Sequence, residues 1–343
     1  MLRRHHKESN SVVNLRRIGK TDIRVSDIGL GTVSFGGLYT PTTQDMATEA
    51  VRAALDSGVN YFDTAPLYGY GASEMRLARA LEGVPRSRYV ISTKVGRVLD
   101  PISEAENRGR KEILSVNPAP NRVRDDYTRD GIMRSFESSM ERLKTDHFEI
   151  VFIHYGDITP ANDKRIMDEA YPLLLELRSQ GMLGAIGMGM DEAPGMLRLA
   201  KKLDFDVCML AFRHTLLDWS ALDELFPYFQ KKGVSVVIAA PYTGGILAMD
   251  DLSKNPKYLY RDAPPEVVAR TQRIKDICGR HGVPLRAAAL QFALGHPVIA
   301  STVPGGRNGA EVRDNVARAS MKIPKAMWNE LVKEGLLPNP PRR

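Results

Sequence analysis

Short apolar runs rich in β-branched residues recur along the whole chain, and longer segments of helical period separate them. Apolar residues spaced along one helical face predict helices at residues 46–58, 132–143, 170–181 and 266–282. Continuous apolar runs are typical of strands buried on both faces, as in a parallel sheet. Eight such runs predict strands at residues 26–30, 59–62, 89–92, 150–153, 185–188, 207–210, 234–238 and 298–301.

Eight strands alternating with helices predict an α/β fold, a closed (β/α)₈ TIM barrel. The rival architecture, a doubly wound open sheet, usually carries a Gly-x-Gly-x-x-Gly turn after its first strand. The segment Gly29-Leu30-Gly31-Thr32 lacks that pattern. Residues 15–25 predict a β-hairpin around a glycine turn, which would close the bottom of the barrel.

The predicted domain organisation is simple. We expect one barrel domain over residues 15–330, a flexible N-terminal tail over 1–14 and a C-terminal tail over 331–343. The segment 97–127 is polar, rich in Pro and Arg and weakly periodic, so it predicts a long loop. Because this loop leaves the C-terminal end of the third strand, it is placed to cover an active-site mouth.

Composition excludes several classes of protein. The chain has 343 residues, of which 43% are hydrophobic and 26% charged, the balance of a globular protein. No apolar run is long enough for a transmembrane helix, and no apolar stretch follows the basic N-terminus as in a secretory signal. The net charge of +7 is scattered without a basic stripe, which argues against a nucleic-acid partner. It fits a site for anionic phosphates or simply a solvated surface.

Cysteine usage limits the chemistry further. Cys208 and Cys278 are far apart and lack neighbouring cysteines or histidines, so we expect inert thiols, no disulfide and no metal site. A reducing cytoplasm fits this pattern. The sequence leaves the oligomeric state open.

Candidate chemistry lies at the ends of three predicted strands. The second strand runs into Asp63, the third into Lys94 and the fourth into His154, and Tyr68 follows in the loop after Asp63. Because the C-terminal strand ends build the active site of a barrel, we expect these side chains to meet. Singly, Asp63 could be a helix cap, His154 a core histidine and Lys94 a surface residue.

Together these four residues predict a proton shuttle on an alcohol or carbonyl oxygen. A buried lysine favours the phenolate of a neighbouring tyrosine, so we expect Lys94 to lower the pKa of Tyr68. Asp63 would hold the lysine in place, and His154 would orient the reacting oxygen. Hydride transfer with a nicotinamide would supply the other half of the reaction.

A candidate phosphate cradle follows the last strand, at residues 303–311. Gly305, Gly306 and Gly309 allow close backbone approach, and Arg307 adds a positive charge. Loops after the last strands of a barrel often bind phosphate together with a helix N-terminus. Glycine-rich turns are common, so this feature alone is weak evidence.

These residues resemble the aldo-keto reductase family over nearly the whole chain, from Leu15 to Arg318. The most specific segments are 62–69 with Ser73-Glu74, Ser92-Thr93-Lys94 and Ile153-His154. The family's catalytic tetrad would then fall on Asp63, Tyr68, Lys94 and His154. Within the family the chain is most similar to bacterial dehydrogenases of L-fucose or D-threo-aldoses, a group that also contains pyridoxal dehydrogenases. That similarity rests on residues 93–97, 127–131, 213–217 and 244–248.

The resemblance implies a nicotinamide cofactor and a set of residues that contact it. Those residues are Gly31, Thr32, Asp63, Gly189, Pro241, Tyr242, Gly244, Pro304, Gly305, Gly306, Arg307, Glu311 and Asn315. The chain departs from the common family pattern around the nicotinamide, where Gly189, Met190, Ala211 and Ala240 replace larger or polar side chains. Backbone groups would then have to contact the carboxamide.

The adenosine end departs from the family pattern as well. Gly305 and Glu311 stand where many NADP-dependent members have Lys and Arg. A glutamate near the ribose suits a 2′-hydroxyl and repels a 2′-phosphate, whereas Arg307 would attract a phosphate. We therefore expect NAD and leave NADP open.

The function predicted from these features is hydride transfer between a nicotinamide cofactor and a sugar or a related alcohol or aldehyde. The resemblance favours oxidation of an aldose at C1 to a lactone. Two alternatives stay open: an NADPH-dependent reductase of aldehydes or ketones, and a non-catalytic nucleotide-binding regulatory subunit.

Overall fold

The computed structural model describes residues 13–112 and 115–341. One sheet of eight parallel strands has the spatial order β3 (Leu30–Gly31), β4 (Tyr61–Asp63), β5 (Val90–Val95), β8 (Phe148–His154), β9 (Leu183–Met190), β10 (Val207–Ala211), β11 (Ser235–Ala239) and β14 (Ile299–Val303). Parallel bridges from Ile28 to Thr302 and from Gly31 to Gly305 join the first and last strands, so the sheet closes on itself. The predicted (β/α)₈ barrel is confirmed.

Twelve α-helices lie among the described residues, and most of them pack around the sheet. The first begins at a capped turn, since the side chain of Thr43 accepts a hydrogen bond from the backbone N–H of Met46. The helices are α1 (Gln44–Asp56), α2 (Ala72–Ala80), α3 (Glu104–Asn107), α4 (Arg129–Leu143), α5 (Pro160–Arg165), α6 (Tyr171–Ser179), α7 (Ala193–Ala200), α8 (Leu225–Lys232), α9 (Pro265–Arg280), α10 (Leu285–Ala293), α11 (Gly309–Ser320) and α12 (Lys325–Lys333).

The predicted N-terminal hairpin is formed by β1 (Leu15–Arg17) and β2 (Arg24–Ser26), which pair antiparallel. Two contacts fix it to the barrel. The N–H of Gly19 donates to Ser235 Oγ at 2.7 Å, and Arg16 donates to the Ile299 carbonyl at 3.1 Å. Because Ser235 and Ile299 begin their strands, the hairpin covers the N-terminal end of the barrel, as we expected.

The segment 97–127 contains regular structure where we predicted a long loop. Strands β6 (Arg97–Pro101) and β7 (Asn121–Asp125) form an antiparallel hairpin, and the short helix α3 lies between them. Two hydrogen bonds join the segment 97–127 to the loop after β4. The N–H of Ala119 donates to the Gly69 carbonyl at 2.9 Å, and the Asn121 side chain donates to the Tyr70 carbonyl at 3.0 Å. A further small ribbon joins β12 (Lys257–Tyr258) to β13 (Arg261–Asp262).

The packed region extends beyond the predicted domain limits at both ends. Val13 is buried, and the rest of the predicted N-terminal tail up to residue 12 lies outside the described residues. At the other end Leu331 lies in α12, and Leu336 and Leu337 are buried with it in the core beside α9. Burial of these three apolar side chains explains why the described part of 331–343 packs on the barrel.

Three further features bear on function. None of the helices in the described ranges is long and apolar enough to cross a membrane. Within those same ranges, no group of three His, Cys, Asp or Glu side chains is placed to hold a metal ion. Cys208 and Cys278 are buried free thiols, and burial raises the pKa of each to about 12.

Candidate active site

The strand ends bring the four predicted catalytic residues to one cavity. Asp63 ends β4, Lys94 lies one residue before the end of β5 and His154 ends β8. Parallel pairing of these neighbouring strands aligns their C-terminal ends, and Tyr68 follows β4 by five residues. All four line a cavity of about 640 Å³ at this end of the barrel.

Asp63 and Lys94 form a buried ion pair beneath the cavity. Lys94 Nζ lies 2.9 and 2.8 Å from the two carboxylate oxygens of Asp63, and 2.8 Å from the carbonyl oxygen of Thr64. These three acceptors match the three N–H donors of an ammonium group. Ser92 donates a further hydrogen bond to Asp63 at 2.7 Å and contacts the Tyr61 hydroxyl at 2.9 Å. Burial lowers the pKa of Lys94 and raises that of Asp63, and their mutual attraction opposes both shifts.

Tyr68 lies above this pair with its ring centroid 4.7 Å from Lys94 Nζ. Burial raises the pKa of Tyr68 well above 10, the Asp63 charge raises it further, and Arg97 partly opposes the shift. Our expectation that Lys94 would lower the pKa of Tyr68 was therefore wrong for the protein without a bound cofactor. The reason is that Asp63 neutralises the lysine and the cavity desolvates the phenolate. The phenol form predominates at neutral pH.

His154 presents a neutral imidazole to the cavity. Burial lowers its pKa well below 6.5, and the positive charges of Arg97 and Lys94 lower it further. Among the described residues, the buried Nδ1 of His154 has no hydrogen-bond partner. The Tyr127 hydroxyl donates to the His154 backbone carbonyl at 3.0 Å, which fixes this end of β8. The ring therefore keeps hydrogen-bonding capacity for a ligand.

The predicted cofactor residues divide into two groups. Gly31, Asp63, Gly189 and Gly305 line the cavity, together with the small or apolar substitutes Met190, Ala211 and Ala240. The others surround it. Thr32 is buried and donates to the Asp63 carbonyl at 2.9 Å, and the Pro304 carbonyl accepts from the N–H of Gly31 at 3.0 Å. The Gly306 carbonyl accepts from Ser34 at 3.1 Å.

A chain of hydrogen bonds supports the turn after β14 from behind. The Tyr242 hydroxyl donates to Asn315 Oδ1 at 2.6 Å, and Asn315 Nδ2 donates to the Gly305 carbonyl at 3.0 Å. Pro241 is buried next to Tyr242, and the Gly244 carbonyl accepts from the Tyr39 hydroxyl at 2.8 Å. These hydrogen bonds hold the backbone carbonyls of Gly305 and Gly244 in place.

Arg307 and Glu311 bind each other at the start of α11. Glu311 accepts from the Arg307 backbone N–H at 2.9 Å and from its guanidinium at 2.9 and 2.6 Å. Partial burial raises the pKa of Glu311, but these hydrogen bonds and the charge of Arg307 lower it by more. The net result is a pKa below the usual value for a glutamate. The charge of Arg307 is thus already compensated within the protein.

Comparison with known proteins decides the family. The model of the aldo/keto reductase family matches residues 27–334. The chain belongs to the aldo/keto reductase family. A pyridoxal 4-dehydrogenase from Microbacterium luteolum is 37% identical over 94% of this chain and 97% of its own length. A D-threo-aldose 1-dehydrogenase from a Pseudomonas species is 34% identical over 93% of this chain and 96% of its own.

Solved structures show the same fold. An aldo-keto reductase from Bacillus halodurans, solved in its holo form, superimposes with a TM-score of 0.74 over 94% of this chain and 96% of that one, at 24% identity. A glycerol dehydrogenase from Gluconobacter oxydans gives a TM-score of 0.72 at 23% identity, over 96% of this chain and 97% of that one. As a member of this family the chain is an NAD(P)-dependent oxidoreductase.

The cavity of this aldo/keto reductase has room for a nicotinamide cofactor along its glycine-lined wall. A Cβ atom placed on Gly189 would come no closer than 3.6 Å to a neighbour, and one on Gly305 no closer than 4.0 Å. The wall therefore has free space where a side chain would otherwise stand. This space runs between the tetrad and the turn before α11, so the residues present fit such a cofactor.

Several cavity residues had no predicted role. Phe212 and Tyr260 pack edge to face at 5.2 Å and form an aromatic wall. Arg97, Asp191 and Arg261 add charged groups. The position of Arg97, three residues after Lys94 at a strand end, was a signal that sequence reasoning could have used. Tyr260 and Arg261 come from a distant ribbon that carries no such signal.

Proposed function

We propose that this aldo/keto reductase is an aldose 1-dehydrogenase, which oxidises the C1 hydroxyl of a cyclic sugar to a lactone. The observation that carries the proposal is the composition of the cavity wall. It places Tyr68 and His154 in the same space as Arg97, Asp191 and Arg261, which can donate to or accept from sugar hydroxyls. The D-threo-aldose 1-dehydrogenase at 34% identity and an L-galactose dehydrogenase from Arabidopsis thaliana at 29% support this substrate class.

In this proposal Tyr68 moves the proton and His154 orients the oxygen. The Tyr68 phenolate accepts the C1 hydroxyl proton while the C1–H electron pair leaves as hydride, so that a carbonyl forms. A bound nicotinamide would supply the hydride acceptor, and the positive charge of its oxidised ring would favour the phenolate. Neutral His154 donates a hydrogen bond to the reacting oxygen. Lys94 Nζ lies over the Tyr68 ring, and Asp63 fixes that lysine.

The proposed cofactor contacts are those named from the sequence. Asp63, Gly31, Gly189 and Gly305 would meet the cofactor along the cavity wall, and the turn from Pro304 to Glu311 would hold its phosphates and adenosine. We propose NAD rather than NADP as the preferred cofactor. Support comes from the ion pair between Glu311 and Arg307, because a compensated guanidinium attracts a 2′-phosphate less strongly.

A second candidate function is reduction of aldehydes by the same site. The raised pKa of Tyr68 favours it, since a protonated phenol is the form that donates to a carbonyl oxygen. The pyridoxal 4-dehydrogenase relative, at 37% identity, adds an aromatic substrate to the candidates.

A spectrophotometric screen tests the proposal. Reduction of NAD⁺ and NADP⁺ would be followed with L-fucose, D-arabinose, L-galactose, pyridoxal and simple alcohols, and oxidation of NADH and NADPH with simple aldehydes. We expect the highest kcat/KM with an aldose and NAD⁺. Activity confined to simple aldehydes with NADPH would overturn the sugar proposal and establish the reductase.

A further inference from the structure

Arg97 enters the cavity because the chain bends sharply after β5. Gly96 makes the bend with φ = +95°, and a Cβ atom there would lie 2.7 Å from the Tyr127 ring. Arg97 is the first residue of β6, and its side chain is 18% exposed. A Cβ atom on Gly156 would lie 2.2 Å from Arg97 Nη2, so the guanidinium packs directly against that glycine.

The guanidinium of Arg97 keeps unused hydrogen-bonding capacity. Its charged partner is Asp125, opposite it in the β6–β7 register, with Nε and Oδ1 3.5 Å apart. Among the described residues, the buried Nε has no hydrogen-bond partner. Arg142, another partly buried arginine, donates to Glu74 at 2.6 Å and to Ser139 at 3.1 Å. An arginine has five N–H donors, and a buried donor without an acceptor is costly unless a ligand supplies one.

The charge of Arg97 acts on both groups that would hold the reacting oxygen. It contributes to the lowered pKa of His154, and it opposes the rise in the pKa of Tyr68. Arg97, Tyr68 and His154 line one cavity, and the guanidinium packs against Gly156, two residues after His154. It therefore lies beside the oxygen that Tyr68 and His154 would hold, within reach of substituents close to the reacting carbon. Arg261 and Asp191 also line the cavity, but both are exposed, so water competes for them.

We propose that Arg97 is a specificity-determining residue that donates hydrogen bonds to an oxygen on the carbon next to the reacting carbon. The favoured substrates are then 2-hydroxyaldehydes and their cyclic forms, the class to which aldoses belong. This inference rests on the proposed roles of Tyr68 and His154. Asp125 acts as a positioning residue that holds the guanidinium near the cavity.

Matched substrates that differ by one oxygen test this inference. D-arabinose and 2-deoxy-D-ribose differ only in the 2-hydroxyl, and 2-hydroxypropanal differs from propanal only in the 2-hydroxyl. We expect the wild type to prefer the hydroxylated member of each pair. The variant Arg97→Met should lose this preference by about 10- to 100-fold in relative kcat/KM, the usual effect of removing a hydrogen bond to a charged group.

Two further variants separate recognition from folding. Arg134→Met removes an exposed arginine that pairs with Asp100 on the same hairpin, and it should leave the preference unchanged. Arg97→Lys keeps the charge but loses the planar guanidinium with its several N–H donors. This variant should retain part of the preference for the hydroxylated substrate even if Arg97→Met does not fold. Urea unfolding of each variant establishes that it is folded.

The outcome for Arg97 is distinguishable from the outcome for the proposed function. If no aldose is oxidised, the aldose proposal fails, and 2-hydroxypropanal and propanal still test Arg97 as substrates for reduction. Calorimetric titration of the enzyme with its oxidised cofactor measures binding of the same two aldehydes without turnover. Equal losses for both members of a pair in Arg97→Met, or an unchanged preference, would overturn the inference.

Discussion

Asp63 and Lys94 are each 2% exposed, and their charged atoms are hydrogen-bonded to one another, to Ser92 and to the Thr64 carbonyl. His154 and Arg97 border the same cavity, yet within the described ranges each has a buried nitrogen without a hydrogen-bond partner. The difference separates two kinds of polar group. The first pair is fully satisfied by the protein and sets the electrostatics, whereas the second has capacity left for a substrate.

We expect the largest effect on activity from replacement of Tyr68, which lies over the Asp63–Lys94 pair and lines the same cavity as His154 and Arg97. Tyr68→Phe removes the proton-transfer group without disturbing the ion pair, so kcat should fall by about 10²- to 10⁴-fold. Fluorescence titration should show unchanged cofactor binding, because the ring is retained. Turnover within a factor of about two of the wild type would remove Tyr68 from the proton path.

The free energy of unfolding tests how much the fully hydrogen-bonded pair of Asp63 and Lys94 stabilises the fold. Asp63→Asn leaves Lys94 buried without its counter-ion, so the free energy of unfolding should fall by about 3–5 kcal/mol. Asp168→Asn breaks an exposed pair with Lys164 and should cost less than about 1 kcal/mol. Both variants would be compared by urea denaturation. Equal losses would mean that the buried pair is no more important to stability than a surface contact.

The pH dependence of the two reaction directions probes the electrostatics of Tyr68. Its pKa is raised, so the phenolate needed for oxidation is the minor form at neutral pH and increases as pH rises. The oxidation rate should climb with pH by up to about tenfold per unit, whereas reduction, which uses the phenol, should stay flat between about pH 6 and 8. The lowered pKa of His154 keeps it neutral over that range. An oxidation rate that falls as pH rises would contradict this assignment.

The smallest expected effect concerns the turn before α11. Glu311→Gln frees the guanidinium of Arg307, so kcat/KM for NADP⁺ should rise about two- to fivefold relative to NAD⁺. Glu82→Gln, which breaks an exposed pair with Lys144, is the matched control. A shift toward NAD⁺ instead would contradict the proposal that Glu311 weakens the attraction of Arg307 for a 2′-phosphate.

Much of the fold could be predicted because buried parallel strands are continuous apolar runs. The residues after such strands, Asp63, Lys94 and His154, therefore pointed to one end of the barrel. The β6–β7 hairpin was missed because it is an exposed ribbon in which charged residues such as Arg122 and Arg124 dominate. The packing at the C-terminus was missed because Leu336 and Leu337 follow the helix without a periodic pattern of their own.

The pKa shifts in the site were harder to predict than the identity of the residues that form it. A lysine next to a tyrosine suggests a lowered tyrosine pKa, yet the outcome depends on burial and on the distance to Asp63, which only the folded structure provides. The same holds for Arg97. Its sequence position suggests the cavity, but its incomplete pairing with Asp125 becomes visible only in three dimensions.

The central claim is that a sugar loses its C1 hydrogen as hydride while Tyr68 takes the hydroxyl proton. The direct test uses L-fucose or D-arabinose deuterated at C1, with mass spectrometry of the reduced cofactor and of the sugar product. We expect the deuterium to move to the cofactor, the product to be the lactone, and Tyr68→Phe to slow the transfer strongly. A reduced cofactor without deuterium, or transfer at the full rate in Tyr68→Phe, would contradict it.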